Sequence, residues 1–174
     1  MADSEIIEKF TTNEIVPQII PNAPARKLTV NYGGLEAAFG NKFNQNELKS
    51  APRVSLADAD PESIYSFLMI DPDNLSRQKP TVAEWLHWMV LNLPASNLME
   101  GIVGGQCVMP YGSPAPGPRT GLHRYILLLW ETGDRRISWP KPDGRAKFKV
   151  AKFQEKLELG DPIAGNFFFS EHRA

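Results

Sequence analysis

Apolar and polar positions along this chain change period several times, and each change marks an element. From Arg26 to Tyr32 they alternate, with Leu28, Val30 and Tyr32 on one side and Lys27, Thr29 and Asn31 on the other. That is the period of a half-buried strand, and Gly33-Gly34 ends it. Pro52 to Leu56 is a short strand candidate, and Ile64 to Ile70 is apolar at nearly every position, as a strand covered on both faces must be. Trp85 to Leu93, closed by Pro94, reads as a further core strand, with Trp85, His87 and Met89 expected on one face and Leu86, Trp88 and Val90 on the other. Ile102 to Val108 is a weaker strand, in which Gly104-Gly105 implies a bulge or a close backbone approach. Leu122 to Trp130 is the strongest strand, and Pro162 to Ser170 the last. Helical period appears clearly only at Phe148 to Leu159, where Val150, Phe153 and Leu157 share a face; residues 3–10 suggest a short helical turn.

Short strands punctuated by 15 prolines and 13 glycines predict an all-β fold, a two-sheet antiparallel β-sandwich with one or two peripheral helices. Nothing in 174 residues divides the chain by repeat or linker, so one domain over 1–174 is expected. A net charge of −1, without a block of Lys or Arg, argues against direct nucleic-acid binding. No apolar run approaches the length of a membrane span. Cys107 is the only cysteine, which excludes an intrachain disulfide and, with no signal-like segment after Met1, leads to the expectation of a cytoplasmic location; a monomer is expected.

Candidate chemistry gathers where strands meet Pro/Gly-rich loops. Asp71 and Asp73 flank Pro72 at the exit of the Ile64–Ile70 strand, and the proline's fixed φ makes that turn stiff. His123 and Tyr125 project to one side of their strand, and His87 sits in another. Convergence of these strand ends would place one acid, two imidazoles and a phenol beside the loop from Tyr111 to Arg119, with its backbone N–H groups at Gly112, Ser113 and Ala115. Such a site suits phosphate or another small oxyanion. Each element also has a plain structural reading: histidines bonded within the fold, a turn at Asp71-Pro72-Asp73, tryptophans in the core, a rigid proline-rich surface loop. Asp71, His87 and His123 could alternatively form a two-His, one-carboxylate metal triad of an enzyme, and the proline-rich loop could serve a pure interaction scaffold. No nucleophile-elbow, phosphate-loop or paired-cysteine motif is present.

The stretches DPDNLSRQKPTVAEWLHW (71–88) and TGLHRY (120–125) closely resemble the two signature regions of the phosphatidylethanolamine-binding protein family. The opening IVPQIIPNAP and KLTVNYGG and the closing GRAKFKVAKFQEKLELGDPIAGNFFF are similar to that family too. Leu75 and Ala83 depart from the family's proline and arginine, and YGSPAPGPRTG has the proline spacing of plant members. The resemblance implies an anion pocket for phosphate or a phospholipid head group, formed by Asp71, His87, His123 and Tyr125. Asp73, Trp85, Gly112, Pro114 and Pro116 join the expected ligand-binding set. It implies a cis peptide at Ala83-Glu84. The implied role is non-enzymatic, without cofactor: a regulator with a protein partner such as a kinase, a protease or an adaptor. In the expected pose the phosphate oxygens face the two rings while Asp71 fixes a tautomer from behind. Affinity is then expected to strengthen as pH falls from about 8 towards 6 and the imidazoles charge.

Overall fold

The computed structural model describes residues 4–101 and 104–172. In chain order it contains α1 (Ser4–Thr12), β1 (Arg26–Lys27), β2 (Thr29–Tyr32), β3 (Leu35–Glu36), β4 (Arg53–Ser55), β5 (Ile64–Asp71), β6 (Trp85–Pro94), α2 (Ala95–Glu100), β7 (Gln106–Met109), β8 (His123–Gly133), α3 (Val150–Leu157) and β9 (Ala164–Ser170). A six-stranded sheet has the order β1-β9-β8-β5-β6-β7, and a three-stranded sheet the order β3-β2-β4. The fold is therefore mostly sheet, as its periodicities imply.

Two expectations are corrected here. The large sheet is mixed rather than strictly antiparallel, because β1 runs parallel to β9, with Arg26 opposite Ala164. The strand expected over Arg26–Tyr32 is two strands in two sheets. At Leu28 the chain leaves the large sheet after donating its N–H to Gly165 O at 3.0 Å, and Thr29 then pairs with Ser55 in the small one. Three α-helices occur among the described residues; α2 carries no sequence signal strong enough to separate it from the strand it follows. Residue 3 of the first helical turn and residues 102–103 of the weak strand lie outside the described residues. Gly105, before β7, has φ +72°, and a Cβ there would lie 2.7 Å from Leu91 O. Its close approach to β6 therefore needs glycine.

Strand parity sorts the core into two layers. From β5 and β8, Tyr65, Phe67, Met69, Tyr125, Leu127 and Leu129 face the small sheet, where Val30 and Val54 meet them. Leu68, Ile70, Ile126, Leu128 and Trp130 face the other way, onto Ile6 and Phe10 of α1 and Phe153 of α3. Central strands covered on both sides must be apolar at successive positions, which is why Ile64–Ile70 and Tyr125–Trp130 read as unbroken apolar runs. The same parity carries Asp71, His123 and Tyr125 to the small-sheet side at one end of the large sheet.

Candidate functional site

His87 reaches that side through an irregularity. In the β5/β6 ladder Met69 opposes Trp88 and Ile70 opposes Leu86, so one residue of β6, His87, is extra. A bulge of this kind puts consecutive side chains on the same side and re-aims them. Trp88 packs in the small-sheet layer while Leu86 and Met89 both pack in the helix-side layer. The expected sharing of one face by His87 and Met89 is thus corrected: strict alternation fails at the bulge. The carbonyls of Leu86 and His87 lie beyond the β6/β7 ladder and are taken up by other segments. Arg145 donates to Leu86 O at 3.1 Å and His87 O at 2.7 Å, and the Gly112 N–H donates to His87 O at 2.8 Å. Arg145 also donates to Pro110 O at 2.9 Å, so it ties the bulge to the start of the loop. A Cβ on Gly112 would stand 2.7 Å from the guanidinium, so a side chain there would displace Arg145 from its carbonyls.

The strand ends and the 111–120 loop enclose a cavity of about 260 Å³. Of the residues expected from sequence, Asp71, Trp85, His87, Gly112, Pro116, His123 and Tyr125 line it. Asn74, Ser113, Ala115, Gly117 and Arg145 complete the wall. Pro114 is buried away from it. Asp73 is also elsewhere: its carboxylate receives Arg124 Nη2–H at 2.8 Å, Arg124 Nε–H at 3.0 Å and the Arg124 backbone N–H at 2.8 Å. Arg124 has even parity on β8 and points to the helix side, where it also donates to Asn13 O at 2.9 Å. Asp73 is a fully partnered structural anion.

Three polar assemblies hold the cavity wall. His87 Nδ1 lies 2.6 Å from Gly112 O. A carbonyl can only accept, so the neutral ring carries its proton on Nδ1. His123 Nδ1 lies 2.8 Å from Asp71 Oδ2, whose other oxygen accepts the Asp73 N–H at 2.7 Å. His123 Nε2 lies 2.8 Å from Thr120 Oγ1, and that hydroxyl donates to Gly117 O at 2.7 Å. Since the hydroxyl proton goes to the carbonyl, His123 supplies an Nε2–H to Thr120. Asp71 and His123 then share one further proton and are neutral as a pair. The loop itself is anchored by Tyr111, which donates to Leu48 O at 2.7 Å and pairs with the Tyr32 hydroxyl at 2.8 Å.

Two buried side-chain atoms at this cavity have no partner among the described residues: His87 Nε2 and the Tyr125 hydroxyl. Buried polar atoms are nearly always bonded, so such a pair in one small cavity is unusual. The two rings stand 5.4 Å apart, edge to face. Burial pushes the His87 imidazole down to about 4, with Arg145 and His123 adding to the effect and the Gly112 bond opposing it. Burial, with Asp71 and Asp73 nearby, pushes the Tyr125 phenol up, so it stays protonated and can donate. Burial also raises Asp71 against the opposing bond to His123. His87 therefore does not charge between pH 8 and 6, which corrects the expected origin of the pH dependence. Among the described residues no group of three or more His, Cys, Asp or Glu side chains is placed to hold a metal ion.

Next to the cavity, the Ala83-Glu84 peptide is cis, as the resemblance implied, and Asn74-Leu75 is cis as well. Glu84 accepts the Val150 N–H at 2.9 Å at the start of α3, and Lys149 donates to Ala83 O at 2.7 Å. The segment before Trp85 is thus fixed to the helix that covers the opposite face. Sequence reading missed Arg145 altogether. The residue lies 58 positions from His87, in a loop with no apolar period, and its partners are the backbone carbonyls of Leu86, His87 and Pro110. No helix among the described residues is long and apolar enough to cross a membrane.

Among known proteins, the chain is 35% identical over 90% of its length to "Putative odorant-binding protein A5" of Drosophila melanogaster, covering 76% of that protein. It is 30% identical over 95% of its length to TERMINAL FLOWER 1 of Arabidopsis thaliana, covering 91% of it. Its fold matches a carboxypeptidase Y inhibitor, solved in complex with its cognate proteinase, at a TM-score of 0.81 and 21% identity, over 97% of this chain and 96% of that one. Residues 21–168 match the sequence profile of the phosphatidylethanolamine-binding proteins, and the chain belongs to that family.

Proposed function

We propose that this chain is a non-enzymatic binding module whose cavity takes a phosphate or phosphorylated group, on a lipid head group or a partner, and that it regulates a kinase or protease through that site. The observation that carries the reading is the pair of unpartnered buried atoms, His87 Nε2 and the Tyr125 hydroxyl, in the wall of one small cavity. Arg145 adds a fixed positive charge beside them, while the Asp71–His123 pair stays neutral overall and holds its ring rigidly. The arrangement offers positioning groups and no activated nucleophile. Its lining suits an anion small enough for about 260 Å³.

Two or three hydrogen bonds to a charged group, less the cost of immobilisation, correspond to roughly millimolar to micromolar affinity for a bare phosphomonoester. Tighter binding requires contacts outside the cavity, and a protein partner would supply them; the relative solved with a proteinase is an example of such an assembly. The test is an NMR titration of the protein with methyl phosphate. Saturable shifts centred on Gly112, His123 and Tyr125, lost in the His87→Ala/His123→Ala double variant, are the expected result. Unchanged affinity in that variant overturns the assignment.

A further inference from the structure

We propose that the cavity selects oxyanions that carry a proton, the monoanion of a phosphomonoester over sulfate or a phosphodiester, and that His87 is the residue that reads this hydrogen. The inference rests on the anion-site reading above and sharpens it. His87 Nδ1 is committed to Gly112 O at 2.6 Å, and the reciprocal Gly112 N–H bond to His87 O holds the ring and the loop together. The remaining ring nitrogen, Nε2, is buried without a partner among the described residues. In this tautomer Nε2 is a bare lone pair, and an acceptor is satisfied only by a hydrogen that the ligand brings. A fully ionised oxyanion brings none, and its oxygen would face the lone pair repulsively.

Charge leads to the same ligand. The ionisable groups facing His87 are Asp71 from β5, His123 and Tyr125 from β8, and Arg145 from the segment before α3. The Asp71–His123 pair is neutral overall, because the Thr120-to-Gly117 bond requires an Nε2–H on His123 and a single further proton lies between Nδ1 and Oδ2. Burial keeps Tyr125 a phenol and His87 an uncharged imidazole. Arg145 leaves the wall with a single positive charge, which balances a monoanion rather than a dianion. The Tyr125 hydroxyl donates to an unprotonated oxygen of the ligand while P–O–H donates to His87 Nε2. One molecule thereby satisfies both orphaned atoms.

Calorimetry at pH 6 and pH 8 with methyl phosphate, sulfate and glycerophosphoethanolamine tests the proposal on the unmodified protein. Methyl phosphate should bind at pH 6 at least ~10-fold more tightly than sulfate, the effect of one hydrogen bond left unmade to a buried group. A phosphomonoester's second ionisation lies near ~6, so its apparent affinity should fall roughly 50-fold between pH 6 and 8 as the monoanion disappears. Sulfate stays fully ionised over this range and reports any titration of the protein itself; its affinity should change little. The head-group diester, whose phosphate has no hydrogen, should show no such fall and should bind more weakly at pH 6. His87→Asn keeps an N–H near the Gly112 carbonyl but has no acceptor at the position of Nε2, and should bring the methyl phosphate to sulfate ratio towards one. The wild-type comparisons decide the matter even if that variant does not fold. Equal affinity for sulfate or the diester at pH 6, or tighter binding of methyl phosphate at pH 8, overturns the selectivity, as does closure of a Tyr125–His87 hydrogen bond in the ligand-bound state. Failure of every oxyanion to bind overturns the anion-site reading beneath it.

Discussion

Asp71 and Asp73 are separated by one proline and both are buried, yet the two ends of that turn have different surroundings. On the Asp73 side no buried side-chain atom lacks a partner: three N–H groups of Arg124 converge on one carboxylate, and the guanidinium reaches on to Asn13 O. On the Asp71 side the carboxylate and His123 are satisfied, but the neighbouring His87 Nε2 and Tyr125 hydroxyl are not. The first region stabilises the turn. The second leaves two buried polar atoms unpartnered on residues that line the cavity. Both carboxylates have partners on both oxygens, so the two ends differ in the polar atoms left over beside them, and that difference can be measured.

The largest effect is expected at the buried ion pair. Asp73→Ala leaves Arg124 charged and unpaired in the interior and should cost about 3–5 kcal/mol in denaturant unfolding. Any Asp73→Ala protein that remains folded should bind methyl phosphate like the wild type. A loss below about 1 kcal/mol, or a specific loss of binding, would erase the contrast between the two ends of the turn.

A pH effect comes next. The folded protein holds His87 down at about 4, whereas the unfolded chain titrates it near its usual value, so the unfolded state binds the proton first. The resulting stability is fully present above about pH 6.5 and is lost as pH falls to about 4, a change of roughly 3 kcal/mol at most. Asp71 acts in the opposite sense, because its raised folded value favours the folded state as the acid range is entered. Comparing the pH dependence of unfolding in wild type and His87→Asn should show a flatter profile between pH 6.5 and 4 for the variant. Identical slopes would mean that the ring is not buried as described.

How much of this was legible in the sequence depended on the kind of interaction. Strand parity puts His123 and Tyr125 on one side of β8, as the structure has them, because parity is a local property; Asp71 joins them through the register of β5 against β8, which no single segment encodes. It misplaced Met89 relative to His87, because a bulge in β6 is set by pairing with β5 and leaves no mark in the sequence of β6 alone. In the sequence Asp73 is indistinguishable from Asp71, because both acids lie in one turn and Arg124, its partner, is far along the chain. Arg145 could not be found, since a side chain that bonds to carbonyls has no partner identity to search for. The split at Leu28 was invisible for a related reason: a strand that changes sheets keeps its alternation.

A smaller effect is expected where Glu84 caps the helix on the far side. Glu84→Ala removes the acceptor of the Val150 N–H and should cost about 1 kcal/mol, with little change in ligand affinity. Thermal unfolding measures the first and methyl phosphate titration the second. A large loss of affinity would mean that the segment before Trp85 transmits to the cavity.

The central claim is that His87 presents an unshared lone pair to a ligand at the cavity. Two-bond proton–nitrogen NMR of the histidine rings observes this atom itself. Without ligand at pH 7, His87 should show a protonated Nδ1 and an unprotonated Nε2, and adding methyl phosphate should shift the Nε2 resonance in the direction of an accepted hydrogen bond while Nδ1 stays fixed. A protonated Nε2 in the free protein, or a Nε2 resonance that does not respond at saturating methyl phosphate, would contradict the account.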